Sequence, residues 1–357
     1  MAGKDQEPPF EREESVSWDD QVRRTRRLCA LAFALETLIL ALSFACIGYV
    51  ALYLIVGHSV TGMLARAPHT IALILLLDLV IATLVTGTVM ARADVRMIDA
   101  TGARLHEQTK GVVYDCVEEM AVAAGCDMPT VYIADTPIAN AYATSDGKHS
   151  AIVVTTGLLS VVDRDGLQGV IGHEMGHLVS GDCPSMTKLV ALTGIVGALS
   201  VGALRLGSYH PVAFGEYGDG DDNDDEGSNA ILGIILLVLA LLFIILAPLF
   251  SKLVETKSSR DRERRADAYS AKLTRNPTAL ARALLALDAA EPTVAEDSKG
   301  FYKGCGALAF RVPKLADAGL LATHPATEER IQTRVNMGAD PTETRRPVRL
   351  TVSDMMD

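Results

Sequence analysis

Four long apolar runs constrain this chain of 357 residues more than any other feature. They fall within 28–56, 70–90, 187–206 and 230–250, and about 20 helical residues cross the hydrocarbon core of a bilayer. Aromatic residues make up only 5% of a chain that is 49% hydrophobic, so the apolar surplus is aliphatic, as in membrane helices. The third run is short and rich in glycine and alanine, which also fits a re-entrant segment or a buried core helix. The pattern predicts four transmembrane helices.

Positive charge predicts the orientation of these spans, because cytoplasmic loops carry an excess of lysine and arginine. The segment 1–27, predicted to be a disordered tail, is charged, and the loop 207–229 is acidic. Both termini are therefore expected in the cytoplasm, with two cytoplasmic blocks at 91–186 and 251–357. The basic residues lie before the first run and after the second and fourth: Arg23, Arg24, Arg26, Arg27, Arg92, Arg96, Lys252, Lys257 and Arg260.

The two cytoplasmic blocks combine helical and strand patterns. Asp146-Gly147 separates two strand candidates and is a typical hairpin turn. Apolar residues at helical spacing predict a helix over 164–181 that presents one apolar face. The remaining predictions are strands over 131–134, 140–144 and 150–155 and helices over 100–124, 259–273, 277–289 and 326–337.

The strongest chemical signal is His173-Glu174-Met175-Gly176-His177, within the helix predicted over 164–181. Residues four apart lie on one face of a helix, so His173 and His177 can bind a single metal ion. Glu174 then reaches a metal-bound water as general base, and zinc lowers the pKa of such a water to about 7. The alternative is a pair of surface histidines on an ordinary helix.

A catalytic zinc ion needs a third protein ligand, because such sites have three protein ligands and one water molecule. The best candidate is Glu263, in a charged stretch over 259–267. Glu255, Asp261 and Asp267 are rival ligands. On periodicity alone, a solvated helix on the membrane surface is the favoured interpretation of this stretch.

Taken together, four motifs resemble the HtpX-type membrane metalloproteases, which are relatives of the CAAX prenyl proteases. The first is the histidine motif at 173–177, and the second is the Ser-Arg-x-x-Glu-x-x-Ala-Asp pattern at 259–267. The third is Asn-Ala-Tyr-Ala at 140–143, and the fourth is Thr-His-Pro followed by Arg-Ile within 323–331. They occur in the order of the family, and the resemblance covers about residues 20–340.

The resemblance implies roles for further residues. Glu263 would be the third zinc ligand, and Asp267 would support the site from behind a ligand. Asn140, Ala141, Tyr142 and Ala143 would form an edge strand that pairs with an extended substrate. His324 would stabilise the oxyanion with Arg330 in support, although a histidine before Pro325 also fits an ordinary helix start.

The metal site also restricts the topology, because His177 and Glu263 must lie on one side of the membrane. An even number of crossings must separate them. The third run therefore either spans the membrane or forms a hairpin within it together with the fourth run. The zinc ion is expected close to the cytoplasmic surface. The predicted fold class is mainly α: four transmembrane helices and a cytoplasmic α+β zincin-like metalloprotease domain with a small antiparallel sheet.

The predicted function is a zinc metalloendopeptidase, multi-pass in the cell membrane, that faces the cytoplasm and degrades misfolded membrane proteins. Its partners would be polypeptide substrates and the bilayer; a net charge of −11 argues against nucleic acid. Three alternatives are a non-catalytic zinc-binding scaffold or chaperone, a site-two-type intramembrane protease and a prenyl-protein protease. The second has its histidine motif inside a span and a later Leu-Asp-Gly, and the third has more spans.

Overall fold

The computed structural model describes residues 18–56, 68–106, 111–181, 183–191, 262–290, 327–346, 348 and 351–356. Several predicted features lie outside these residues. They are most of the N-terminal tail, most of the third run, the acidic loop 207–229, the fourth run 230–250 and His324.

The first two apolar runs lie in two long helices, α1 (Trp18–Val56) and α2 (Pro68–Ala91), which pack against one another. Thr37 Oγ1 lies 3.3 Å from Oγ1 of Thr86 at this contact. Among the residues that the structure describes, one helical stretch, Ala72–Ala91, is long and apolar enough to cross a membrane. Four transmembrane helices remain a prediction.

The sheet has four strands in the order β1-β2-β4-β3: β1 (Arg104–Leu105), β2 (Thr130–Ala134), β3 (Ala141–Ser145) and β4 (Ser150–Thr155). β3 and β4 form the predicted hairpin, with Gly147 at a φ of 99° in the turn. The prediction of an antiparallel sheet is wrong, because β2 and β4 are parallel. β4 inserts between β2 and β3, which run in opposite directions, so the sheet is mixed.

The helix predicted over 100–124 is also different in the structure. A short helix, α3 (Ala93–Ala100), ends where the predicted helix is expected to begin, and α4 (Val112–Ala124) covers only the second half of the predicted range. Gly102 and Gly111 have φ values of 65° and 128°, which are not helical. The helix does not continue through these two glycines, and β1, which lies between them, pairs with β2.

The helix that carries the histidine motif, α6 (Arg164–Val179), lies at the centre of the soluble part. Asp163 begins it as N-cap, since its side chain accepts a hydrogen bond of 2.9 Å from the Gly166 amide. Leu167, Val170 and Ile171 are fully buried and belong to one core with residues of the sheet and of α4. This packing holds the motif rigidly beneath the sheet.

The other helices surround α6. Residues 183–191 (α7) follow it, and residues 262–274 (α8) lie across its glycine-rich face. The remaining elements are α5 (Thr156–Leu159), α9 (Pro277–Ala290), α10 (Thr327–Asn336), α11 (Pro341–Thr344) and α12 (Val352–Met356).

Candidate metal centre

Glycines on one face of α6 let α8 approach it closely. A Cβ atom on Gly176 would lie 2.9 Å from Cα of Ala266 and 3.0 Å from Cβ of Tyr269, closer than real Cβ atoms come. Ala266 lies between Glu263 and Asp267 on α8, so this contact brings both carboxylates against the histidine motif. Only a residue without a side chain permits that spacing.

Three side chains converge on one point. Nε2 of His173 and Nε2 of His177 lie 3.1 Å apart. The Glu263 carboxylate places Oε2 3.4 Å from His173 Nε2 and Oε1 3.5 Å from His177 Nε2. Tetrahedral zinc with bonds of about 2.0–2.1 Å would separate its ligand atoms by about 3.3 Å. The three side chains are buried and fit such an ion.

The two imidazoles have opposite pKa shifts. Burial lowers the pKa of His177, and the Glu263 carboxylate offsets this only in part, so the fold favours the neutral form of His177. Burial also acts to lower the pKa of His173, but hydrogen bonds with Asp267 and Glu263 outweigh it and raise that pKa. Because a metal binds the neutral imidazole, it must displace the proton that these carboxylates favour on His173.

Asp267 lies behind His173, on the side away from the converging ligand atoms. Its Oδ1 accepts a hydrogen bond of 2.9 Å from Nδ1 of His173, which leaves Nε2 of that ring to face the metal position. Arg330 holds the same carboxylate with two hydrogen bonds, from its Nε at 3.1 Å and from a terminal nitrogen at 2.8 Å. Burial acts to raise the pKa of Asp267, but Arg330 and Arg334 hold it far below its usual range.

Glu174 is completely buried next to the histidines. Neither of its carboxylate oxygens makes a hydrogen bond with the residues that the structure describes. Burial raises the pKa of Glu174 to about 7, while His173 and the nearby backbone amide of Ala143 act to lower it. A carboxyl group with a pKa near neutrality is suited to proton transfer.

The edge strand β3 passes beside Glu174, and parts of its outer edge are already engaged. The carbonyl of Ala143 accepts a contact of 3.7 Å from Sγ of Cys183, and the amide of Ser145 donates to Thr187 at 3.4 Å. At the other end, the Asn140 side chain accepts a 2.9 Å hydrogen bond from the Ala141 amide. The fully buried Tyr142 side chain points towards α3, where its hydroxyl donates to the Met97 carbonyl at 3.2 Å.

Most of the predicted site residues therefore meet at one place. The rival ligands Glu255 and Asp261 and the predicted oxyanion residue His324 lie outside the described residues. Asp267, the third rival, contacts the far side of His173. Sequence reasoning missed Arg334, whose terminal nitrogen lies 2.9 Å from Oδ1 of Asp267. Its position one helical turn after Arg330 was the only available signal.

Comparison with known proteins identifies the family. The model of Peptidase family M48 matches residues 107–336, which include the whole converging group. The chain belongs to peptidase family M48. It is therefore a metalloprotease, and its substrates are polypeptides.

Similar M48 proteins come from several streptococci, each named Protease HtpX homolog. The protein of Streptococcus thermophilus is 37% identical over 318 residues, which are 88% of this chain and 97% of that protein. Those of Streptococcus pneumoniae are 35% identical over 316 residues, with the same coverage. The Streptococcus gordonii protein is 38% identical over 240 residues, 66% of this chain and 77% of that protein. The resemblance to HtpX-type proteases is confirmed.

One solved structure is also similar. It is the crystal structure of Ste24p from S. mikatae, with a TM-score of 0.40 and 19% sequence identity. The similarity covers 82% of this chain and 63% of the Ste24p chain.

Proposed function

We propose that this M48 metalloprotease is a zinc endopeptidase embedded in the cell membrane, with its site at the cytoplasmic surface. The observation that carries the proposal is the convergence of His173, His177 and Glu263 next to the buried carboxyl group of Glu174. Two imidazoles and one carboxylate are a ligand set of catalytic zinc, which keeps a further position open. A purely structural site would be closed by four protein ligands.

Glu174 has the position and the pKa of a general base. Zinc, when bound, would act as a Lewis acid on the scissile carbonyl and on the attacking water. Glu174 would accept the proton of that water and deliver it to the leaving amine, since its pKa of about 7 suits both transfers. Asp267 would keep His173 in the tautomer that directs its Nε2 towards the metal.

Strand addition is the proposed mode of substrate binding. β3 lies at the edge of the sheet, and the Ala143 amide on that strand acts on the Glu174 carboxylate. A substrate that pairs with Asn140–Ala143 would therefore pass close to the general base. An incoming backbone would have to replace the contact of Asn140 with the Ala141 amide and the contacts that Cys183 and Thr187 make with this edge. His324 would stabilise the oxyanion, as the family resemblance implies.

The cellular role follows from location. α2 provides one candidate span. An even number of crossings between α6 and α8, as predicted from the sequence, would keep the ligands on one side of the membrane. Positive charge flanking the runs favours the cytoplasmic side. Substrates would then be membrane proteins with exposed or misfolded cytoplasmic segments, and the proposed role is their quality control.

The test compares the full-length protein, purified in detergent, with Glu174→Gln. We expect the variant to retain zinc but to cleave casein at least a hundredfold more slowly, as general bases contribute about 10²–10⁴. Glu119→Gln is the matched control, because Glu119 is exposed and pairs with Arg164 and Gln168 at the surface. Equal cleavage by wild type and Glu174→Gln would exclude the mechanism. Bound zinc without cleavage in the wild type would favour the scaffold.

A further inference from the structure

Arg334 is a buried cation that the zinc chemistry described so far does not use. Its side chain is fully buried on α10. A terminal nitrogen lies 2.9 Å from Oδ1 of Asp267, the one carboxylate that the described residues bring to it as an ion pair. Its other terminal nitrogen lies 3.7 Å from the sulfur of Met337, a weak contact. Burying an arginine costs free energy, and this cost indicates that Arg334 has a role at Asp267.

Three nitrogen atoms meet at Oδ1 of Asp267. They belong to His173 at 2.9 Å, Arg330 at 2.8 Å and Arg334 at 2.9 Å. Arg330 by itself is enough to orient the carboxylate, because it also donates to Oδ2 at 3.1 Å through its Nε. Arg334 adds no new direction to this arrangement. What it adds is a second positive charge on the very oxygen that accepts the His173 hydrogen bond.

Among the carboxylates that contact His173 and the arginines that pair with them, the charges balance with Arg334 in place. Glu263 and Asp267 supply two negative charges, and Arg330 and Arg334 supply two positive charges. Arg330 alone would leave this group with an excess negative charge behind His173. A carboxylate with that excess charge would draw more strongly on the Nδ1 proton and make the ring a stronger electron donor.

We propose that Arg334 is a positioning residue that acts through Asp267 on His173. It would limit the electron donation of His173 to the metal, so that the metal remains a strong Lewis acid. The proposal rests on the function proposed above. It assigns Arg334 no contact with substrate. Arg334 would lower zinc affinity and raise the turnover rate, which is the opposite of a residue that merely stabilises the fold.

The size of the effect follows from distance. From Arg334 to Asp267 Oδ1 and on to His173 Nδ1 are two steps of 2.9 Å each, and the imidazole ring and one metal bond complete the path. The charge therefore lies within about 10 Å of the metal position. At an effective dielectric constant of about 20, removing it should strengthen the binding of a divalent cation on the order of a hundredfold.

The test uses Arg334→Met, which keeps most of the apolar volume and removes the charge, and Arg334→Lys, which keeps the charge. In the full-length protein in detergent, zinc affinity is measured by competition with a chelator. We expect Arg334→Met to bind zinc on the order of a hundredfold more tightly and to lose kcat several-fold at unchanged KM. Arg334→Lys should remain within about twofold of wild type, because a single contact to Oδ1 needs only a point charge.

Arg282→Met is the matched control. Arg282 is a largely buried arginine of α9 that pairs with Asp163, at the opposite end of α6 from the ligands. This variant should lower the melting temperature without changing zinc affinity. A fall of zinc affinity and melting temperature together in Arg334→Met would overturn the proposal in favour of a structural role. Unchanged affinity in Arg334→Met, or equal behaviour of the lysine and methionine variants, would also overturn it.

Failure of the proposed function has a different signature. If wild type binds zinc but cleaves nothing, the protease mechanism fails, while the affinity comparison still decides the role of Arg334. If wild type cleaves and Arg334→Met leaves zinc affinity unchanged, only the role of Arg334 fails. If wild type binds no zinc, both fail.

Discussion

Gly176 is the point at which a single methyl group should disturb the metal site without unfolding the protein. In Gly176→Ala the new Cβ would lie 2.9 Å from Cα of Ala266, where ordinary contacts begin at 3.4 Å. Because the obstacle is backbone, α8 must move by at least 3.4 − 2.9 = 0.5 Å. That movement displaces Glu263, one turn before Ala266, and Asp267, the residue after it.

This movement should cost the fold little free energy but should weaken metal binding strongly. Overpacking costs about 1–3 kcal/mol, and alanine recovers about 1 kcal/mol of helix propensity over glycine. Metal ligands, by contrast, tolerate about 0.2 Å. We therefore expect Gly176→Ala to lower zinc affinity and kcat/KM by about tenfold or more, with only a modest loss of melting temperature.

Chelator competition, casein cleavage and thermal unfolding by circular dichroism measure these three quantities. Gly172→Ala is the matched control, since a Cβ there would lie 3.4 Å from Ser270, an ordinary contact. This control should bind zinc like wild type and melt at an equal or higher temperature. Wild-type zinc affinity in Gly176→Ala would refute the argument that the close approach of α6 and α8 sets the ligand spacing.

Two further predictions concern stability. Asp163→Ala removes both the N-cap of α6 and the carboxylate that pairs with Arg282, so it should lower the free energy of unfolding by more than the roughly 1 kcal/mol of a cap, with unchanged zinc affinity. A loss of zinc affinity would contradict the packing that holds α6 in place. Asp267→Asn should cost the metal-free protein about 3–5 kcal/mol at neutral pH, because it removes the charge of the carboxylate that two buried arginines pair with. The pKa of Asp267 is lowered by folding, so its contribution is complete above the unfolded value of about 3.9 and declines as the pH falls below it. The difference from wild type should be constant between pH 7 and 5 and narrow below pH 4, and a difference that grows on acidification would contradict the shift.

Local periodicity predicted what depends on local sequence. The helix predicted over 164–181 is observed at Arg164–Val179, because its apolar spacing and its cap act within the segment itself. The prediction over 100–124 failed at Gly102 and Gly111, where the loss of helical φ outweighs the apolar pattern. Each glycine within a helix costs about 1 kcal/mol. Between these two glycines, Arg104 and Leu105 pair with β2 instead.

Features that need two distant segments were harder to predict. The parallel pairing of β2 with β4 depends on strand order, which no pattern inside a strand encodes. The burial of Arg334 depends on Asp267, which lies on another helix, so in sequence Arg334 resembles any surface arginine. The family motifs made Glu263 the favoured ligand over Asp267, and the structure separates the two by placing them on different sides of His173.

The arrangement of the site explains why the metal and the fold are coupled through charge. α6 supplies two imidazoles, and α8 supplies two carboxylates, of which one faces the metal position and one faces away. Without α10, the second carboxylate would be a buried charge with only a histidine for partner. The arginines of α10 remove that cost, and they do so on the atom that orients His173. Packing of α10 therefore stabilises the fold and adjusts the charge at the metal site together. A substitution that loosens α10 should change zinc affinity before it destabilises the core.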